Sequence, residues 1–234
     1  MRDTMTAGQR LTVKLQFAVP PMLRAMARLW EGDQVRETYL EWLRILHGMI
    51  RATVPLMLTA TDACVSRVGD PVADQFGAYL ARHIREEYGH DEWVAEDYAA
   101  AGGDPAELAD LAVGGAVAAL VGSQYYWIRH VHPIALLGHI AVLEGYPPAP
   151  TVADSLASRT GLPKTAFRAL DRHAVLDQRH RVDVYRLLDT LPLLPRHEEL
   201  IGTSALHTAV GVRDVAAGVT AARDRLARPW QGAA

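Results

Sequence analysis

Asp171-Arg172-His173-Ala174-Val175-Leu176-Asp177-Gln178-Arg179-His180 is the stretch on which the interpretation of this chain turns. His173, Asp177 and His180 recur at i, i+4 and i+7. On an α-helix of 3.6 residues per turn these side chains fall on one narrow stripe. Two imidazoles and a carboxylate converging there suit a first-row metal ion. The alternative is a polar surface face beside Arg172, Arg179 and Arg181. The apolar neighbours Ala169, Leu170, Val175 and Leu176 weigh against it.

The rest of the chain is also patterned for helices. Leu11 to Trp30 is apolar at three- and four-residue spacing, interrupted by Pro20-Pro21, and 34–63 reads as a second helix bent near Pro55. Asp70-Pro71 suits a helix start, with Asp as N-cap and Pro at the first helical position. That third helix is expected to run from Pro71 to Ala101 and to end at Gly102-Gly103. Asp104-Pro105 opens a shorter one. A long apolar helix over 116–145 follows, kinked or split by Pro133, and its all-round apolarity predicts a central position. A short helix over 152–159 precedes the helix of the His/Asp stripe, which Pro192 and Pro195 terminate. A last helix covers 197–226. No alternating strand pattern and no repeat stands out. The expectation is all-α: a single domain over 1–234, a helical bundle of about seven helices.

Composition narrows the function classes. Of 234 residues, 50% are hydrophobic and 22% charged, and the net charge is −3. That is ordinary for a soluble globular protein and ample for a core. Without clustered Lys/Arg, nucleic acid is not the expected main partner. The single cysteine, Cys64, allows no internal disulfide, which favours a reducing, cytoplasmic location. The most apolar stretch, 108–122, is interrupted by Asp110 and too short to span a bilayer, so no membrane association is expected. The apolar excess is compatible with a homodimer.

Two further elements can supply ligands. In His83-Ile84-Arg85-Glu86-Glu87-Tyr88-Gly89-His90-Asp91-Glu92, Glu87-x-x-His90 places a carboxylate and an imidazole on one helix face, as in diiron carboxylate proteins. Glu86 is a competing choice, His83 lies one turn before Glu87 on the same stripe, and so charged a run also fits a solvated helix face. Glu144 is the only acid from Leu111 to Gly145. An isolated carboxylate in an apolar helix is costly unless paired, metal-bound or solvated at the helix end. Glu87, His90, Glu144, His173, Asp177 and His180 together offer three imidazoles and three carboxylates, enough for two iron or manganese ions with positions open for oxygen and substrate. His47 reads as a core or pocket histidine. His130, His132 and His139, with Tyr125, Tyr126 and Trp127, either line a pocket or pack helices. Arg129 suits a substrate carboxylate or a surface acid.

The order Glu-x-x-His, then a lone Glu, then His-x-x-x-Asp-x-x-His resembles the haem-oxygenase-like diiron oxidases. The resemblance covers nearly the whole chain, and its most specific part is the last motif, matched by His173, Asp177 and His180. It implies a seven-helix fold related to haem oxygenase and the thiaminase-II-like proteins. It implies two iron ions cycling between Fe(II) and Fe(III), with O2 as cosubstrate, although the same ligands suit manganese. The implied function is an O2-dependent oxidase or oxygenase acting on a small molecule, an amino acid or derivative in natural-product biosynthesis, by N-oxygenation or oxidative C–C or C–N cleavage. Three alternatives stay open. One is a ferritin-like diiron protein that adds Glu37 or Glu41 and gives His173 no task. The others are a cofactorless enzyme of the same fold and a non-catalytic helical interaction domain.

Overall fold

The computed structural model describes residues 5–226. The ends of the expected 1–234 domain, 1–4 and 227–234, lie outside the described residues. Among these, all regular structure is helical, in chain order α1 (Ala7–Leu15), α2 (Val19–Arg28), α3 (Val35–Ile50), α4 (Thr53–Val65), α5 (Pro71–Glu87), α6 (His90–Ala100), α7 (Ala106–Ala109), α8 (Gly115–His130), α9 (Ala135–Leu143), α10 (Val152–Thr160), a 3-10 turn (Lys164–Phe167), α11 (Arg168–Thr190) and α12 (Pro195–Leu226). The all-α expectation holds. The segments outnumber seven because several expected rods are cut. Pro133 separates α8 from α9, and Pro20-Pro21 opens α2. Pro55 sits in the first turn of α4, where its missing N–H breaks no helical bond. The cut therefore falls at Arg51–Ala52, ahead of the expected bend.

The helix starts follow local chemistry. Asp70 accepts from the amides of Val72 and Ala73, and Pro71 occupies the first helical position. One expectation fails: 71–101 is not a single helix. It breaks at Tyr88–Gly89, where Gly89 takes φ +83°. That left-handed conformation is open to glycine and strained for other residues. Glu87 therefore ends α5 and His90 begins α6, so the Glu-x-x-His motif does not lie along one helix face.

Of three apolar clusters that organise the packing of the described residues, two frame the site. One joins α1, α2, α4, α5, α8, α9, the C-terminal half of α11, and α12, through residues such as Phe76, Leu80, Leu137, Ile140, Val184 and Leu188. The other joins α3, α6, α10, the 3-10 turn and the start of α11, through Tyr39, Val94, Tyr98, Phe167 and Ala169. The expected central position of 116–145 holds only for its second half: α9 is buried from Ala135 to Val142, whereas α8 buries a single face, through Val117, Leu120, Gln124 and Ile128. Gly138 of α9 lies directly on the Ile201 carbonyl of α12, where a Cβ would collide with backbone. No helix among the described residues is long and apolar enough to cross a membrane.

This packing defines where the site lies. Helix α11 runs from one apolar cluster (Ala169) into the other (Val184, Leu188). The α5–α6 segment crosses the same junction in reverse, from Leu80 to Val94. His173, Asp177 and His180 on one side, and His83, Glu87 and His90 on the other, fall between these apolar anchors.

Candidate metal centre

The junction holds a buried polar layer. His83, Glu87, Glu144 and His180 each offer one donor atom, and these atoms all lie within 4.8 Å of one another. All four side chains are buried: His83 2% exposed, Glu87 8%, Glu144 8% and His180 1%. Glu144 caps the C-terminus of α9, placing its carboxylate at the end of an apolar helix and not in water. His83 Nε2 donates to Glu144 Oε1 at 2.7 Å. His180 Nδ1 lies 3.6 Å from both Glu87 Oε1 and Glu144 Oε2.

The remaining sequence candidates surround this group. His90 Nδ1 stands 3.1 Å from Glu87 Oε2 despite the helix break between them. The His173 ring meets the His90 ring edge-on at 5.0 Å. Asp177 Oδ1 is 3.8 Å from His180 Nδ1. The structure thus brings all six predicted residues into one region. It also places the adjacent glutamates differently. Glu87 is buried at the centre, while Glu86 sits at the rim, 3.4 Å from His180 Nε2 and 3.3 Å from the exposed Arg179 guanidinium. His83, treated in the sequence as a neighbour on the stripe, is central. Its signal was the i, i+4 spacing from Glu87 together with the apolar residues around it.

Ring stacking fixes the imidazoles. His83 stacks on Tyr79 at 5.1 Å, and His90 stacks on Trp93 at 3.9 Å, with the Arg172 guanidinium over the outer face of the indole. His173 Nδ1 donates to the Ala169 carbonyl at 2.7 Å, leaving Nε2 as the bare ring nitrogen.

The electrostatics show how costly this layer is. Burial pushes the Glu144 carboxyl up to about 7, even against the pull of His83. Burial, then repulsion from Glu144 and Glu87, pushes Asp177 up to about 8. Burial also lowers His173 and His180. It would lower His83 too, but the bond to Glu144 and the charges of Glu144, Glu87 and Glu86 hold it above its ordinary value. Burial likewise opposes ionisation of Glu87, and the His90 contact overcomes it, holding that carboxyl low.

Several donor atoms have no hydrogen-bond partner although fully buried: Glu144 Oε2 and both ring nitrogens of His180. Buried polar atoms are rarely left unpaired, because the desolvation penalty is not recovered. Convergent orphan nitrogen and oxygen donors suit iron or manganese. The residues present therefore fit a metal centre.

Most of the other candidates have structural partners. His132 accepts from the Ile134 amide through Nδ1 and donates to Asp70 through Nε2, pinning the α8–α9 break to the start of α5. His139 donates to Thr208 Oγ1 across the α9–α12 contact. His130 packs on Tyr126, and Arg129 lies over Tyr125, not against an acid. His47 is half-buried, and its Nδ1 is buried without a hydrogen-bond partner. The Cys64 thiol is buried and pushed up to about 12, so it is unreactive near neutrality.

Residues 56–234 match the model of a family described as iron-containing redox enzyme. No curated protein matches the chain. Among solved structures, it is similar to a domain of unknown function with a haem oxygenase-like fold from Shewanella denitrificans OS217. The TM-score is 0.74 at 15% identity, over 97% of this chain and 95% of that one. It is also similar to a TenA homologue from Pseudomonas syringae pv. tomato str. DC3000, with a TM-score of 0.68 at 13% identity, over 94% of this chain and 97% of that one. At these identities the likeness shows the fold, which is haem-oxygenase-like.

Proposed function

The chain belongs to the family of iron-containing redox enzymes, and from that premise we propose that it is a non-haem diiron oxidase or oxygenase that uses O2 to oxidise a small molecule. The observation that carries this is the set of buried donor atoms without partners, on Glu144 and His180, at the junction of the two apolar clusters that frame the site. Glu87, lying between His90 and His180, would be a ligand at the middle of the group. His90 and His173 would hold one ion. His83, His180, Glu144 and Asp177 would hold the other. Bound iron supplies the one-electron chemistry that O2 reduction requires.

The chain's own residues prepare that chemistry. The surrounding apolar clusters keep water from the donors. The raised carboxyls of Glu144 and Asp177 hold protons near neutrality in the metal-free protein. Metal binding needs them ionised, so loading releases protons and grows stronger as pH rises through about 7 to 8. The position of His173 favours this reading over a ferritin-like one: that alternative leaves it without a task, whereas here its ring packs against His90. The substrate class, an amino acid or derivative, is the one to assay first, with N-oxygenation and C–C or C–N cleavage as the products sought.

The test is anaerobic Fe(II) loading followed by metal analysis and O2-uptake measurements with amino-acid substrates. The expected result is two irons per chain and iron-dependent O2 consumption that disappears in His173→Ala. Full activity in that variant, or no iron uptake by the unaltered chain, would sink the proposal.

A further inference from the structure

Helix α11 has no N-cap of its own. Phe167 holds the cap position and makes no side-chain cap bond. The first amides of a helix need acceptors, and Ala169 is only 1% exposed, so water does not serve there. The acceptor comes from another helix. Asp97 of α6, fully buried, accepts from the Arg168 amide at 3.1 Å and the Ala169 amide at 2.8 Å. A carboxylate at a helix N-terminus also meets the positive end of the helix dipole.

Each partner in this contact leads to the candidate metal centre. Asp97 lies at i+7 from His90, two turns along the same helix and on the same face. Ala169 lies at i−4 from His173 and accepts its Nδ1–H. The Ala169 residue is thus gripped at its amide by α6 and at its carbonyl by the His173 ring. We propose that Asp97 is a positioning residue: by capping α11 from α6 it sets the register of His173 against His90 and keeps His173 Nε2 bare, as a ligand would need. This rests on the metal-centre reading above.

The probe is Co(II), titrated anaerobically into the full chain, with visible absorption reporting total binding and Trp fluorescence reporting the His90 side. Trp93 stacks on His90, so quenching that disappears in Trp93→Phe belongs to that side. In Asp97→Ala the Trp93-linked binding should weaken about 10- to 100-fold, the size typical of lost support behind a ligand. Binding on the His83/Glu144 side should change little. Asp70→Ala is the matched control, since Asp70 caps α5 through two amides in the same way. It should lower the melting temperature without moving Trp93-linked affinity. If Asp97→Ala does not fold, Asp97→Asn keeps a neutral acceptor and should show a several-fold loss. Unchanged Trp93-linked affinity in whichever Asp97 variant folds, or an equal loss in Asp70→Ala, overturns the proposal. Absence of Co(II) binding in the unaltered chain would instead count against the metal-centre reading itself.

Discussion

Asp177→Asn should stabilise the metal-free protein at neutral pH and destabilise the metal-loaded one. Asp177 is 5% exposed, and the His180 ring, whose protonation burial opposes, is 3.8 Å from its Oδ1. Burial and the neighbouring carboxylates raise it from 3.8 to about 8. A carboxyl raised in the folded state contributes its full stability below the unfolded value and loses it as pH rises toward the folded value. Between pH 3.8 and pH 7 the loss has a ceiling of about 4 kcal/mol, at about 1.36 kcal/mol per pH unit. Local relaxation and water entry reduce this, so about 2 kcal/mol is expected. Asparagine carries no such cost. The metal-free variant should therefore match the unaltered protein near pH 4 and exceed it by about 4–8 °C in melting temperature near pH 7. The assay is a pair of calorimetric or circular-dichroism melts in EDTA, repeated from pH 4 to 8. Comparing the two proteins at each pH cancels the opposing titration of the buried histidines. With Fe(II) the order should reverse, because ligand binding stabilises the protein that holds metal more tightly. A melting difference that stays flat across this pH range would refute the electrostatic argument. A stabilised variant that binds iron as well as the unaltered chain would refute Asp177 as a ligand.

Two other substitutions probe the site from different directions. His83→Gln keeps a donor for Glu144 but removes the imidazole; as a lost ligand it should weaken Fe(II) binding by at least about tenfold, whereas unchanged stoichiometry and affinity by equilibrium dialysis would make His83 only a support for Glu144. Gly89→Ala forces an L side chain into φ +83°, which costs about 1–2 kcal/mol; it should lower the melting temperature by a few degrees and weaken metal binding by shifting His90, and a variant with normal melting and normal binding would show that the break does not set the His90 position.

The parts of the site legible in the sequence depend on local periodicity. His173, Asp177 and His180 lie on one uninterrupted helix, so their shared stripe follows from 3.6 residues per turn. Glu144 could be singled out because an acid in an apolar helix carries a desolvation cost wherever that helix packs. Asp70-Pro71 marked a helix start because the cap bonds span only neighbouring residues. The break at Gly89 was not legible, because a single glycine is tolerated inside a helix and its φ is chosen by packing on either side. Glu87 and His90 do lie side by side, but not for the geometric reason expected: they meet across a kink and not along a face. His83 was visible only as a neighbour, since its partner Glu144 lies on another helix. The Asp97 cap on α11 was invisible for the same reason.

By itself, then, the sequence determined that the chain is helical, which residue types could bind metal, and which of them share a turn. These are properties of the local backbone, whose hydrogen bonds and side-chain directions repeat over a few residues. Only the tertiary structure decided that α5, α6, α9 and α11 meet between two apolar clusters, that Glu87 and not Glu86 faces inward, and that His83 completes the group. Those outcomes depend on which surfaces of distant segments bury one another. A donor left unpaired inside such a junction acquires its chemistry from neighbours that no local spacing encodes.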